Sequence, residues 1–284
     1  MDISGTTRVI GLMGDPVLYS LSPAIQNAAC RHLQLPYVYV AFRVEKAAVP
    51  AAVAAIRALD MVGMNVTVPH KEAVIPYLDE LDISARRCGA VNTIVNREGR
   101  LTGYNTDGDG FLDALRELGF DPAGREAVIL GAGGSARAVA AALLDSGIRK
   151  LTIINRTAGK AEQLAHALGS PEKITVLPLR PQASPDLSAA ELVVNTLAIP
   201  FQSGGRWLLD LSSAAGALFY DLRYGGMPSA FLDYAWQLGS PGADGASMLL
   251  HQGARAFTLF TGRAAPLEVM RRALYDGSET GAAK

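Results

Sequence analysis

The chain has 284 residues, 49% of them hydrophobic and 19% charged, with a formal net charge of −1. That balance excludes a disordered chain and removes any composition-level case for nucleic acid or an anionic membrane as partner. Two cysteines, Cys30 and Cys88, are too few for a disulfide framework or a zinc finger, and His32, His70, His166 and His251 form no H-E-x-x-H pair, so no metal is expected.

The opening residues, MDISGTTRVIGLMG, lack the apolar stretch of a signal peptide. The longest apolar run, AAVPAAVAAI, is too short to span a bilayer. A soluble cytoplasmic protein is the expectation, and at this length two domains of ordinary size.

RVIGLMG (8–14) reads as a strand, and SPAIQNAACRHL as a helix with Ser22 as N-cap and Pro23 at the first helical position. YVYVAFRV (37–44) is aromatic and β-branched, hence a strand, and PAAVAAIRALD is a helix. GMNVTVPHK (63–71) reads as a strand with Met64, Val66 and Val68 on one face and Asn65, Thr67 and then Lys71 on the other. That polar line is either a solvent-facing edge ended by Pro69 or the wall of a pocket for a polar ligand. From these nine residues alone the edge is favoured.

EAVIPYLDELDISARRCG reads mostly as helix, and AVNTIVN and RLTGYN flank REG as a hairpin. A helix follows at about 108–118, for which Asp107 reads as N-cap. The strand 126–130 then runs into Gly131-Ala132-Gly133-Gly134-Ser135-Ala136, a G-x-G-x-x-G/A pattern with an alanine-rich helix behind it. Glycines let the backbone approach a pyrophosphate, and the helix N-terminus supplies amide donors. KLTIINRT ends in Asn155, Arg156 and Thr157, where an NAD-binding chain usually carries an acid for the ribose 2′-hydroxyl. A guanidinium pairs instead with a 2′-phosphate, so Arg156, helped by Lys160, points to NADP(H). The proline-rich segment 178–190 reads as a loop inside this second array. Repeated β–α alternation makes the chain an α/β protein with parallel or mixed sheets covered by helices.

GDPVLYSLSP, GMNVTVPHK, GAVNT, GYNTDGDG, GAGGSARA, INRT and GASMLLHQGARAF occur in this order, and with them nearly the whole chain resembles the shikimate dehydrogenase family, including its quinate/shikimate branch. The resemblance implies an α/β substrate-binding domain over 1–107, completed by C-terminal helices over 246–284, a Rossmann NADP-binding domain over 108–245, and a cleft between them. It implies reversible NADPH-dependent reduction of 3-dehydroshikimate to shikimate, a step of aromatic amino-acid biosynthesis, with Lys71 as general acid/base and Asp107 as its partner. Ser20, Ser22 and Tyr224 match positions near the substrate carboxylate. Thr67, Asn92, Asp107 and Gln252 match contacts to the ring hydroxyls, and Asn65 a wall behind them. Thr196, Gly245 and Met248 match positions around the cofactor. His70 and His251 match no catalytic position. A monomer or homodimer is expected, with small molecules as its ligands.

The chain departs from the family pattern at several places. Gln26 stands where histidine is usual, Leu197-Ala198-Ile199 follows Asn195-Thr196 where a small hydroxyl residue is common, and Arg223 and Gly225-Gly226 flank Tyr224 where Y-x-P is usual. The alternatives are therefore a quinate/shikimate dehydrogenase using NAD or both cofactors and, more remotely, a non-catalytic metabolite sensor.

Overall fold

The computed structural model describes residues 3–180, 183–197, 209–225 and 229–281. In chain order the elements are β1 (Arg8–Gly14), α1 (Ser22–His32), β2 (Tyr37–Arg43), α2 (Val49–Ala58), β3 (Gly63–Val66), β4 (Glu80–Leu81), α3 (Ile83–Cys88), β5 (Thr93–Arg97), β6 (Arg100–Tyr104) and α4 (Asp107–Glu117). There follow β7 (Glu126–Leu130), α5 (Gly134–Asp145), β8 (Lys150–Asn155), α6 (Ala158–Leu168), β9 (Ile174–Pro178), β10 (Leu192–Asn195), β11 (Leu218–Asp221), α7 (Ala230–Gln237), β12 (Gly242–Ala243), α8 (Ala246–Thr261) and α9 (Leu267–Gly281). They form two compact units: Met1–Phe111 with Leu249–Lys284, and Leu112–Met248. The chain changes unit inside α4 and again inside α8.

The first unit holds a mixed sheet in the order β2-β1-β3-β5-β6-β4. Side chains alternate across it, as the two-residue period of a strand requires. Ile10, Leu12 and Val95 face Ala256 and Phe260 of α8, joined by Val62, which precedes β3 and lies outside its alternation. Met13, Met64, Val66 and Ile94 face Val49, Val53 and Ile56 of α2. The β5–β6 hairpin closes at Glu98 and Gly99, both with positive φ (52° and 84°), which matches the twist of the two strands.

Three local expectations need correction. The strand read over 63–71 ends at Val66 and is no edge, because β3 pairs with β1 on one side and β5 on the other. Beyond Val66 the chain turns: Thr67 N–H donates to Met13 O and His70 N–H to Thr67 O, both at 2.9 Å. Of 72–89, only Ile83–Cys88 is α-helix, capped by Asp82, whose carboxylate accepts from Ser84 N–H at 2.9 Å. Val74, Leu78 and Leu81 mimic a helical stripe because all three pack on the α2 side of the sheet, but Pro76 breaks the ladder between them. In α1 the N-cap position is Leu21, without a side-chain cap, and Ser22 is already helical. The hydroxyl that helps there is Ser20 Oγ, accepting from Ser22 N–H at 3.3 Å.

The second unit is an all-parallel sheet in the order β12-β11-β10-β7-β8-β9, the doubly wound arrangement with its switch point between β7 and β10. Its core joins Val128, Leu130, Val193 and Phe219 to Phe231 and Ala235 of α7. At the carboxyl ends of β10 and β11 lies a buried polar group that sequence reasoning did not single out. Asp221 Oδ1 accepts from Asn195 Nδ2 at 3.0 Å and from Arg223 N–H at 3.1 Å, and Oδ2 accepts from Ser229 Oγ at 2.5 Å.

Burial raises the Asp221 carboxyl above its ordinary 3.8 despite these donors. Above pH 3.8 the folded state therefore holds more proton than the unfolded chain, so this group subtracts stability as pH rises through that window. Asp221→Asn keeps an acceptor for Asn195 and Arg223 without the charge. Its denaturant midpoint relative to wild type is expected to improve progressively as pH rises above 3.8, whereas Asp221→Leu should lose about 1–3 kcal/mol by stranding its partners. A pH-independent difference between Asp221→Asn and wild type contradicts this account.

Candidate active site

In the first sheet β1, β3 and β6 run the same way, and antiparallel β5 starts at the edge where they end. One edge therefore receives the segment after β1 with Ser20 and Ser22, the turn after β3 with Thr67 and Lys71, Asn92 just before β5, and Asp107 just after β6. Open α/β sheets place ligands outside such carboxyl ends.

Lys71 Nζ donates to Asp107 Oδ2 at 2.6 Å, and the two side chains are only 10% and 6% exposed. Asn92 Nδ2 donates to the other carboxylate oxygen at 2.8 Å and lies 3.4 Å from Gln252 Oε1. Asp107 is not the N-cap: Thr106 O accepts from Gly110 N–H at 3.0 Å, which makes Thr106 the cap position and Asp107 the first helical residue. Its carboxylate is thereby left to Lys71 and Asn92, and its own N–H donates to Asn105 Oδ1 at 3.0 Å. Asn65 is 8% exposed and is engaged inside the protein, accepting from Tyr39 OH at 2.8 Å and donating to Asn92 O and Thr93 Oγ1.

Gln252 reaches this group because α4 and α8 lie back to back. A Cβ on Gly110 would sit 2.6 Å from Gln252 N, so no side chain fits between them. Thr106 Oγ1 donates to Gln252 O at 3.1 Å, and Gln252 Nε2 donates to Leu249 O at 2.8 Å. Gln26, the departure in α1, is buried and donates to Gly253 O at 2.8 Å. His70 is buried and structural, its Nε2 on Val44 O at 2.6 Å. Ser20, Ser22 and Thr67 are half-buried at the same sheet edge.

In the second unit the remaining candidates lie at the carboxyl edge of the parallel sheet. Gly131 follows β7 with φ +116°, and a Cβ there would lie 2.3 Å from Thr196 Oγ1, so the turn accepts no side chain. Ala132 is buried, exposed Gly133 takes the N-cap position of α5 without a side-chain cap, and Gly134, Ser135 and Ala136 form the first turn. A helix start of this kind, open at a glycine cap, fits a pyrophosphate. After β8, Asn155 Nδ2 donates to Thr157 O at 2.8 Å, and Arg156, Thr157 and Lys160 are exposed. Thr196 Oγ1 donates to Leu130 O at 2.8 Å, tying the ends of β10 and β7. Gly245 N–H donates to Arg223 O at 2.8 Å, Met248 is buried, and Tyr224 is half-buried after β11. Leu197 N–H donates to Asn195 Oδ1 at 3.2 Å, while Ala198, Ile199 and Gly226 lie outside the described residues. Among the described residues there is no cluster fit to hold a metal ion, and no helix is long and apolar enough to cross a membrane.

Three family models match the chain: the shikimate dehydrogenase substrate binding domain over residues 12–94, shikimate / quinate 5-dehydrogenase over 114–199, and the shikimate 5'-dehydrogenase C-terminal domain over 245–275. The chain is 45% identical to the shikimate dehydrogenase (NADP(+)) of Moorella thermoacetica, over 99% of this chain and 98% of that one. Among solved structures it is similar to shikimate 5-dehydrogenase from Thermus thermophilus in complex with NADP(H) and shikimate, with a TM-score of 0.84, 34% identity, and 95% and 100% of the two chains covered. Quinate dehydrogenase from Corynebacterium glutamicum in complex with NAD has the same TM-score of 0.84 at 29% identity, covering 95% and 99%.

The contact between α4 and α8 gives a test whose sign decides. In a free helix, alanine is favoured over glycine by about 1 kcal/mol. At Gly110 the added methyl meets the backbone of Gln252, so Gly110→Ala is expected to destabilise by about 1–3 kcal/mol in thermal or denaturant unfolding. A stabilised variant means that the two helices separate freely.

Proposed function

The chain belongs to the shikimate dehydrogenase family of NADP-dependent oxidoreductases, and from that premise we propose how its own residues interconvert 3-dehydroshikimate and shikimate. The observation that carries the reading is the buried Lys71–Asp107 pair at 2.6 Å, with Asn92 and Gln252 around it, at the edge where the strands of the first sheet deliver their loops.

Reducing a ketone requires hydride at carbon and a proton at oxygen. Gly131–Ala136 would hold the pyrophosphate of NADP(H), and Arg156 with Lys160 its 2′-phosphate; bound there, the reduced cofactor would supply the hydride and the oxidised one would take it up. Lys71 Nζ gives the proton to the carbonyl oxygen and stabilises the negative charge that develops there. In the reverse direction the same nitrogen, unprotonated, takes the hydroxyl proton. Asp107 aims the amine and accepts from a ring hydroxyl. Thr67, Asn92 and Gln252 hold the remaining ring oxygens, and Ser20 and Ser22 bind the carboxylate at the start of α1, with Tyr224 beside it. Thr196, Gly245 and Met248 line the nicotinamide end, and Asn155 and Thr157 shape the loop that bears Arg156. Free, buried thiols at Cys30 and Cys88 support a reducing cytoplasm as the compartment.

Quinate oxidation with NAD is not favoured. No acid stands at the end of β8, where Arg156 is exposed, and the quinate dehydrogenase likeness is weaker in sequence. A sensor without turnover has no need of a lysine and an aspartate buried together.

Lys71→Met keeps the length of the stem and removes the donor. Turnover is expected to fall by on the order of a hundredfold or more, with a much smaller change in shikimate binding. A variant that turns over normally at saturation but binds shikimate poorly assigns Lys71 to binding alone.

Arg156→Ala should raise KM for NADP roughly tenfold to a hundredfold, the size of one charge-assisted contact, and leave KM for NAD nearly unchanged. Equal effects on both cofactors make Arg156 an adenine-stacking or structural residue.

A further inference from the structure

We propose that Tyr39 and Thr93 are positioning residues for the reaction, acting through one run of hydrogen bonds that fixes the amide of Asn92 and, through it, the carboxylate of Asp107. The proposal rests on the reading of Lys71 and Asp107 as the proton-handling pair. The run starts in β2 and ends at the carboxylate. Tyr39 OH donates to Asn65 Oδ1 at 2.8 Å, Asn65 Nδ2 to Thr93 Oγ1 at 2.9 Å, Thr93 Oγ1 to Asn92 Oδ1 at 2.9 Å, and Asn92 Nδ2 to Asp107 Oδ1 at 2.8 Å.

Two backbone groups fix its direction. A carbonyl only accepts, and Asn92 O lies 3.1 Å from the Asn65 side chain, so that atom of Asn65 is its nitrogen and the oxygen faces Tyr39. A backbone N–H only donates, and Thr106 N lies 2.9 Å from the Asn92 side chain, so that atom of Asn92 is its oxygen and the nitrogen faces Asp107. Thr93 is then the one hydroxyl that accepts from Asn65 and donates to Asn92. Every donor in the run faces the carboxylate end. Its members are nearly excluded from solvent: Tyr39 is 2% exposed, Thr93 0% and Asn92 3%. With so little water, an Asn92 amide turned over sets oxygen against carboxylate and NH2 against N–H, both repulsive in a low dielectric. Thr93 excludes that state together with Thr106, and Tyr39 holds Asn65 in the orientation that serves Thr93.

The test is steady-state kinetics of the full chain with shikimate and NADP for Thr93→Val, Thr93→Ser, Tyr39→Phe and the double variant Tyr39→Phe/Thr93→Val, with Lys71→Met as control. Thr93→Val is expected to lower kcat roughly tenfold, a typical result of slight misplacement at a reacting group, with KM for NADP unchanged. Thr93→Ser, which restores the hydroxyl, should recover kcat to within about twofold of wild type, the sign of an effect carried by the hydrogen bond rather than by packing. Tyr39→Phe should lose less, and the double variant should be no worse than Thr93→Val, because a run cut at Thr93 has nothing left to transmit from Tyr39.

Equal kcat for Thr93→Ser and Thr93→Val, or losses that multiply in the double variant, overturns the proposal in favour of separate packing effects. If Thr93→Val does not fold, Tyr39→Phe decides, and an unchanged kcat overturns the proposal. Collapse of turnover in Lys71→Met beside wild-type kcat in Tyr39→Phe and Thr93→Val removes this inference alone. Wild-type turnover in Lys71→Met removes the catalytic reading beneath it.

Discussion

A lysine and an aspartate held 2.6 Å apart with little access to water form an expensive arrangement. Each ion gives up hydration worth several kcal/mol, and their attraction offsets that loss only with good geometry and further hydrogen bonds on the remaining atoms. Much of the first unit reads as the answer to that demand. Asn92 occupies the second carboxylate oxygen, Asn105 holds the Asp107 backbone, and Lys71 is anchored by its own carbonyl, which accepts from Val91 N–H at 2.8 Å. These anchors come from two separate places in the sheet, Val91 and Asn92 from the segment before β5 and Asn105 from the turn after β6. A mixed sheet whose strands end and begin at one edge brings such separate segments together.

The second unit treats its carboxyl edge in the same way with different chemistry. A single buried carboxylate, Asp221, has no cation bound to it side chain to side chain among the described residues, and its donors are an amide, a hydroxyl and a backbone N–H. The cost of burial appears in its raised pKa, where the first unit spends a lysine instead. Both edges show polar groups used to fix loop geometry where the strands stop.

The local grammar of the chain was readable wherever near neighbours decide the outcome. The turn between β7 and α5, the Glu98–Gly99 hairpin and the boundaries of β1, β7 and β8 follow from glycine, turn residues and apolar periodicity. Long-range facts were not readable. GMNVTVPHK has the alternation of an edge strand, and only the presence of β1 and β5 on its two sides makes Asn65 an interior residue. Gly110 looks like one more glycine in NTDGDG until α8 arrives against it from the far end of the chain. Tyr39 sits in YVYVAFRV as an ordinary strand aromatic, and nothing near it in sequence announces that its hydroxyl meets Asn65. Lys71 and Asp107 were assigned by resemblance, because spacing alone gives a cap and a surface amine.

The composition of the first unit from two separated stretches has a consequence for synthesis. Ile10, Leu12, Val62 and Val95 are covered by Ala256 and Phe260, which leave the ribosome only after the whole of Leu112–Met248 has been made. At about 5–20 residues per second, that interval lasts on the order of ten seconds. Throughout it the nascent amino-terminal sheet has one apolar face without its helix, and at its end the contiguous second unit has every residue it needs to fold. The vectorial order of translation is thus inverted in folding: the part made first is the part finished last, and a nascent-chain chaperone has a defined greasy surface to shield until α8 emerges.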